Sequence, residues 1–225
     1  MAALTLTAAN TYVIEDNASH HEVRLSYFAN TTTNETSGLK VNVDTLIGRT
    51  MLMTFSGINA GPSRGGDLFV PGSTITANGG SNAIGYFLEY TNPNANTFRV
   101  VLANNTLFAN GDVLYDDRFG HIVVVGNAVS EPARVTVAGI LWSIPGSTRV
   151  GLEWANANTS LNDEFFVMSG SGSFGKNTFN APLQCTTANS TGNINLSTYG
   201  ILANGGYTII LDLRKGQGFG ARPVY

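Results

Sequence analysis

The segment Phe165–Asn177, FFVMSGSGSFGKN, holds the residue spacing with the most evident capacity for chemistry. Gly170, Gly172 and Gly175 fit G-x-G-x-x-G, the dinucleotide pattern. Gly170, Gly175 and Lys176 fit G-x-x-x-x-G-K, the phosphate-loop pattern. Both motifs work only where a helix follows, because its first amides and its dipole hold the phosphate. Here Thr178-Phe179-Asn180-Ala181-Pro182 follows, which is not a helix-forming sequence, and Asn177 stands where a magnesium-binding hydroxyl is needed. Ser173 and Lys176 also match S-x-x-K, without the partner motifs an acylase requires. With 26 glycines in the chain such matches arise readily by chance. The expectation is a flexible Gly/Ser surface loop.

Other candidate groups are sparse. His20 and His21 are adjacent, so on a strand they point to opposite faces and do not chelate together; His121 is the third histidine. The acidic clusters are Asp112, Asp116, Asp117 and the pair Asp163-Glu164. The first lacks the glycine and terminal glutamate of a calcium loop and reads as a solvated turn. Glycoside hydrolysis needs paired carboxylates with one of them buried in a cleft. Trp142, Trp154, Tyr86, Tyr90 and Tyr115 are the aromatic residues available for sugar stacking, but in strands such side chains more often serve core or subunit contacts. Cys185 is the single cysteine, so no intrachain disulfide or cysteine-based metal site is possible. No catalytic, cofactor-binding or metal-binding residue is assigned, and the chain reads as a non-enzyme.

Composition narrows the partners. Charged residues make up 12% of the 225, hydrophobic residues 43%, and net charge is −3. About two dozen each of Asn and Thr replace the missing charge. Arginines are scattered, with no basic arm or stripe, which argues against nucleic-acid binding. No apolar run reaches membrane-spanning length, and Met1-Ala-Ala-Leu-Thr lacks the charged and apolar regions of a signal peptide. The Asn-X-Ser/Thr triplets, such as those at Asn34 and Asn104, are read as products of composition.

The elements that must position these groups are strands. Three related turns occur: Ala77-Asn78-Gly79-Gly80, Ala109-Asn110-Gly111-Asp112 and Ala203-Asn204-Gly205-Gly206. Asn-Gly favours tight type I′ hairpins, since both central residues then need positive φ. Strands are expected over Glu22–Phe28, Leu39–Val43, Arg49–Phe55, Asp67–Val70, Ile84–Tyr90, Thr97–Ala103, Asp112–Tyr115, Phe119–Val125, Ala133–Trp142, Thr148–Trp154, Glu164–Met168 and Tyr207–Leu213. No window shows a helical period. The predicted fold is all-β: an antiparallel, jelly-roll-like sandwich over 20–213, with an extended arm over 1–19 and a Gly-rich tail over 214–225. A polar break at Asn127–Pro132 marks a possible subdomain boundary.

These Asn/Thr/Gly-rich strands and turns, with Lys nearly absent, resemble the virion structural proteins of tailed phages, namely capsid decoration (cement) proteins and fibre or knob proteins. The resemblance is compositional and carries no residue-level role. It implies a homotrimer on the virion that contacts itself and a major capsid or other virion protein. The alternative is a carbohydrate-binding or adhesin module with a glycan as partner. Neither reading involves a cofactor, nucleic acid or membrane.

Overall fold

The computed structural model describes residues 11–15, 22–30, 33–58, 69–92, 96–118, 120, 122–158, 162–175, 181–186, 189–202 and 206–221. Among them the regular structure is strand, apart from one short 3-10 turn at Val43–Thr45, and all strand pairs are antiparallel. The chain divides into two compact units. One contains Thr11–Glu15, Glu22–Val43 and Arg134–Gly216; the other contains Asp44–Ala133 and the segment from Gln217. The single sandwich expected over 20–213 is therefore interrupted. The junction at Ala133/Arg134 lies just past the polar break at Asn127–Pro132.

The first unit has two sheets. One runs β1 (Thr11–Glu15), β2 (Glu22–Asn30), β16 (Gly206–Lys215), β10 (Val135–Ile144), β13 (Gly170–Phe174), with β14 (Leu183–Gln184) also paired to β10. The other runs β12 (Asp163–Met168), β11 (Arg149–Asn156), β15 (Ser190–Tyr199), β3 (Gly38–Val41). The pairing is nested. Without β1 and β14 the unit has eight strands: first pairs last (β2·β16), second pairs seventh (β3·β15), third pairs sixth (β10·β13) and fourth pairs fifth (β11·β12). Alternate pairs then join, β16 to β10 and β15 to β11.

The period-two pattern explains why these strands bury one face. In β16, Tyr207, Ile209, Leu211 and Leu213 are buried while the residues between them are more exposed. Val23, Leu25, Val137 and Ile140 extend that face in one sheet, and Val150, Leu152, Ile194 and Leu196 line the other. Each such burial contributes about 1.5–3 kcal/mol. Phe166 of β12 bridges the sheets, packing 5.7 Å from Trp142 and 5.2 Å from Phe174.

The second unit is a closed six-stranded barrel in the order β4 (Thr50–Ile58), β7 (Thr97–Leu102), β6 (Ile84–Asn92), β5 (Thr74–Asn78), β8 (Val113–Asp116), β9 (Ile122–Ser130). Closure removes sheet edges, and register shifts in β4 and β6 supply local curvature. Its core is aromatic. Phe69, Phe87 and Phe98 meet at tilted angles with centroids 5.6–6.0 Å apart, and the Tyr90 hydroxyl accepts the Phe69 N–H at 2.9 Å.

Several expectations change at this level. The tail expected from Arg214 begins inside β16 and then joins the barrel, where Thr50 N–H donates to Gly218 O at 2.8 Å and Phe219 bridges Arg49. Part of the expected arm is β1, paired to β2. Phe69 and Val70 are not in a strand, whereas β5, β13 and β15 form where no strand was expected.

Candidate functional site

The glycine-rich segment is a strand, not a loop. Gly170–Phe174 pairs residue by residue with β10, from Ile140↔Phe174 to Ile144↔Gly170. A Cβ at Gly172 would lie 2.4 Å from Cζ2 of Trp142, so the bare backbone there is the bed of the indole. The indole N–H donates to Ser169 O at 3.2 Å. Gly175 has φ +101°, and a Cβ would stand 2.1 Å from Ala138 O, where β10 bulges between Val137 and Gly139. Two of the glycines that imitate a nucleotide motif are thus required by strand packing. A phosphate cradle needs free, converging amides, and a strand in a ladder does not offer them. Lys176 and Asn177 lie outside the described residues.

The carboxylates organise turns. Asp112 accepts Ala109 N–H at 2.8 Å, Ser81 N–H at 3.1 Å and the Ser81 hydroxyl at 2.5 Å. It thereby joins two of the three Ala-Asn-Gly turns. Burial pushes the Asp112 carboxyl up, but the bonds from Ala109 and Ser81 outweigh it and hold the group below the ordinary 3.8. Neither of these turns is type I′. Asp112 N–H donates to Ala109 O at 3.1 Å, with Gly111 at φ +87° and Asn110 not at positive φ, which is a type II arrangement. The other is a longer loop closed by Ala77 N–H to Ala83 O at 2.9 Å. The third turn lies outside the described residues. Asp117 accepts Thr74 N–H at 3.0 Å and Asp116 accepts Arg118 N–H at 2.7 Å, so this acidic run shapes the connection between β8 and β9.

The sequence reading missed Glu153. Only 7% exposed, it follows a register shift between Leu152 and Glu153 that alters its pairing with β12. Its carboxylate accepts the Ser197 hydroxyl at 2.5 Å, the Ser37 hydroxyl at 2.9 Å and the Asn162 amide at 3.2 Å. Ser37, at φ +46°, also donates its N–H to Ser197 Oγ at 2.9 Å. Glu164, opposite Glu153 in the ladder, instead pairs with Arg149 at 2.7 Å, and Arg149 lies over the Tyr199 ring at 5.5 Å. One carboxylate is wrapped by neutral donors and the other is neutralised by a guanidinium. That arrangement anchors the 33–37 segment on β15. The hydroxyl–carboxylate pairs Ser197–Glu153 and Ser81–Asp112 have the contact of a nucleophile and its base, and both carboxylates are buried. No local signal marks Glu153, because the strand residues around it read as ordinary alternation.

The remaining candidates scatter. Trp154 is buried and stacks on Phe165 at 4.3 Å; Tyr90 packs on Phe87 at 4.8 Å. Tyr86 is half-buried and Tyr115 exposed. The half-buried Cys185 has a free thiol, and its carbonyl accepts from Arg134 at 3.3 Å. His20, His21 and His121 lie outside the described residues. Among the described residues no group of three or more His, Cys, Asp and Glu is placed to hold a metal ion. No helix among them is long and apolar enough to cross a membrane. No protein-family model, curated protein or solved structure matches the chain.

Proposed function

We propose that this chain is a non-enzymatic virion structural protein of the capsid decoration type, acting through subunit contacts. The observation that carries the reading is the nested strand pairing of the first unit. A long antiparallel hairpin of four strand pairs, with alternate pairs sharing a sheet, resembles the eight-stranded jelly rolls of viral capsid and lectin domains, and that likeness supports the reading. Low charge supports it, because few charges then need desolvating in a subunit interface, and Leu141 and Leu202 stand more than half exposed. Native mass with negative-stain imaging tests the reading. A closed trimer or a lattice is expected, with a melting temperature that falls on dilution. A clean monomer whose melting point is indifferent to hundredfold dilution would sink it.

The lectin reading draws on the same strand order and on Tyr199, 48% exposed beside Arg149 and Glu164. Against it, Tyr115 and Tyr199, both exposed, belong to different units. A glycan-array signal lost in Tyr199→Ala would favour it over the virion reading.

A further inference from the structure

The turn signature itself contains a reactive pair, and the fold treats its two described copies differently. At Asn110-Gly111 both reacting groups are tied. Asn110 Oδ1 accepts Ala128 N–H at 2.8 Å, and Gly111 N–H donates to Val125 O at 2.8 Å. At Asn78-Gly79 neither is tied. Both residues are exposed, a Cβ on Gly79 would meet nothing within 4 Å, and among the described residues no partner engages the Asn78 carboxamide or the Gly79 N–H.

We propose that Asn78 is a site of spontaneous deamidation in the native protein and that Asn110 is protected by the fold. The Gly79 amide nitrogen, losing its proton, attacks Cγ of Asn78. The new N–Cγ bond closes a five-membered imide as the Cγ–Nδ2 bond breaks and Nδ2 leaves as ammonia with the proton. Water then opens the imide at either carbonyl, giving aspartate or isoaspartate. One water is consumed, one ammonia is released, and no oxidant or reductant takes part. Glycine at position 79 leaves the nitrogen unshielded, and Asn78, as the last residue of β5, sits where the ladder ends.

The product falls at a sensitive place. Isoaspartate adds a methylene to the main chain beside Ala77, whose N–H closes this loop onto Ala83, and two residues from Gly80, which lies against the Asp112 carboxylate. Aspartate or isoaspartate adds a second negative charge near Asp112. Deamidation therefore loosens the join that Asp112 makes between the two turns.

The test uses the full chain, incubated at mildly alkaline pH in native buffer and, separately, in concentrated urea. Peptide mapping follows the mass gained when the amide becomes a carboxyl. In native buffer Asn78 is expected to react at least about tenfold faster than Asn110, since opening the latter means breaking two ordinary hydrogen bonds. In urea the two rates converge. Equal rates in native buffer, a faster Asn110, or a difference that persists in urea would each overturn the proposal.

Discussion

Asp112 shows how much one side chain settles in a protein with few charges. Its carboxylate accepts one hydrogen bond from the residue that opens one turn and two from Ser81 in the other loop. Asp112→Ala removes these bonds to a charged acceptor and leaves the donors without it. A loss of about 2–3 kcal/mol is expected in denaturant unfolding. Gly80→Ala attacks the same point from the other side, since its Cβ would lie 2.0 Å from Asp112 Oδ1. Asp112 must then shift, and about 1–3 kcal/mol is expected to be lost. Acid acts here too. Burial pushes Glu131 up, but Arg99, bidentate at 2.8 and 2.9 Å, holds it below the ordinary 4.5. Both folded-state values are lowered, so the native state binds protons less readily than the unfolded chain. The stabilisation is complete above the ordinary values and drains away as pH falls below them through the lowered ones. Urea midpoints measured down an acid series should decline in that window, and Asp112→Ala should flatten part of the decline.

At the scale of elements, β13 is the clearest lesson. Its sequence, Gly-Ser-Gly-Ser-Phe, has almost no strand propensity, and in isolation it reads as a loop or a phosphate cradle. It is a strand because β10 offers a ladder and because Trp142 needs a surface without side chains. Gly172→Ala should displace the indole, break its bond to Ser169 O, change near-ultraviolet dichroism and cost about 1–3 kcal/mol. Ser171→Ala, one residue away with an exposed contact to Ser143, should stay within about 0.5 kcal/mol of wild type. β15 was equally hidden. Its inward Ile194 and Leu196 are surrounded by Asn, Ser, Thr and Gly, too few apolar positions to declare a strand. By contrast, β6, β7, β10 and β16 were legible, because each is rich in β-branched or aromatic residues, and β11 was legible because Val150, Leu152 and Trp154 alternate with small or charged neighbours. Glu153 was illegible for a related reason. Burial of a glutamate on a strand depends on what covers it, and part of that cover comes from Ser37, more than a hundred residues away.

At the scale of the molecule, two units with separate cores make a calorimetric prediction. Phe98 is fully buried among the barrel phenylalanines, and Phe98→Ala should cost about 3–5 kcal/mol. Because the sandwich core is a different set of residues, only one of two unfolding transitions should move. A single transition that shifts as a whole would show that the units unfold together. The sequence by itself determined the class: period-two patterning, turn residues and the lack of any helical period demand antiparallel strands, and these signals are carried by neighbours a few residues apart. Only the tertiary structure decided which strands pair, that a barrel occupies 44–133 between β3 and β10, and that the nucleotide-like glycines serve a tryptophan and a bulge. The physical reason is that a strand's pattern specifies which face is buried but not which partner completes the ladder. Partner choice is set by contacts far apart in the chain, and it turns a motif that looks chemical into scaffold.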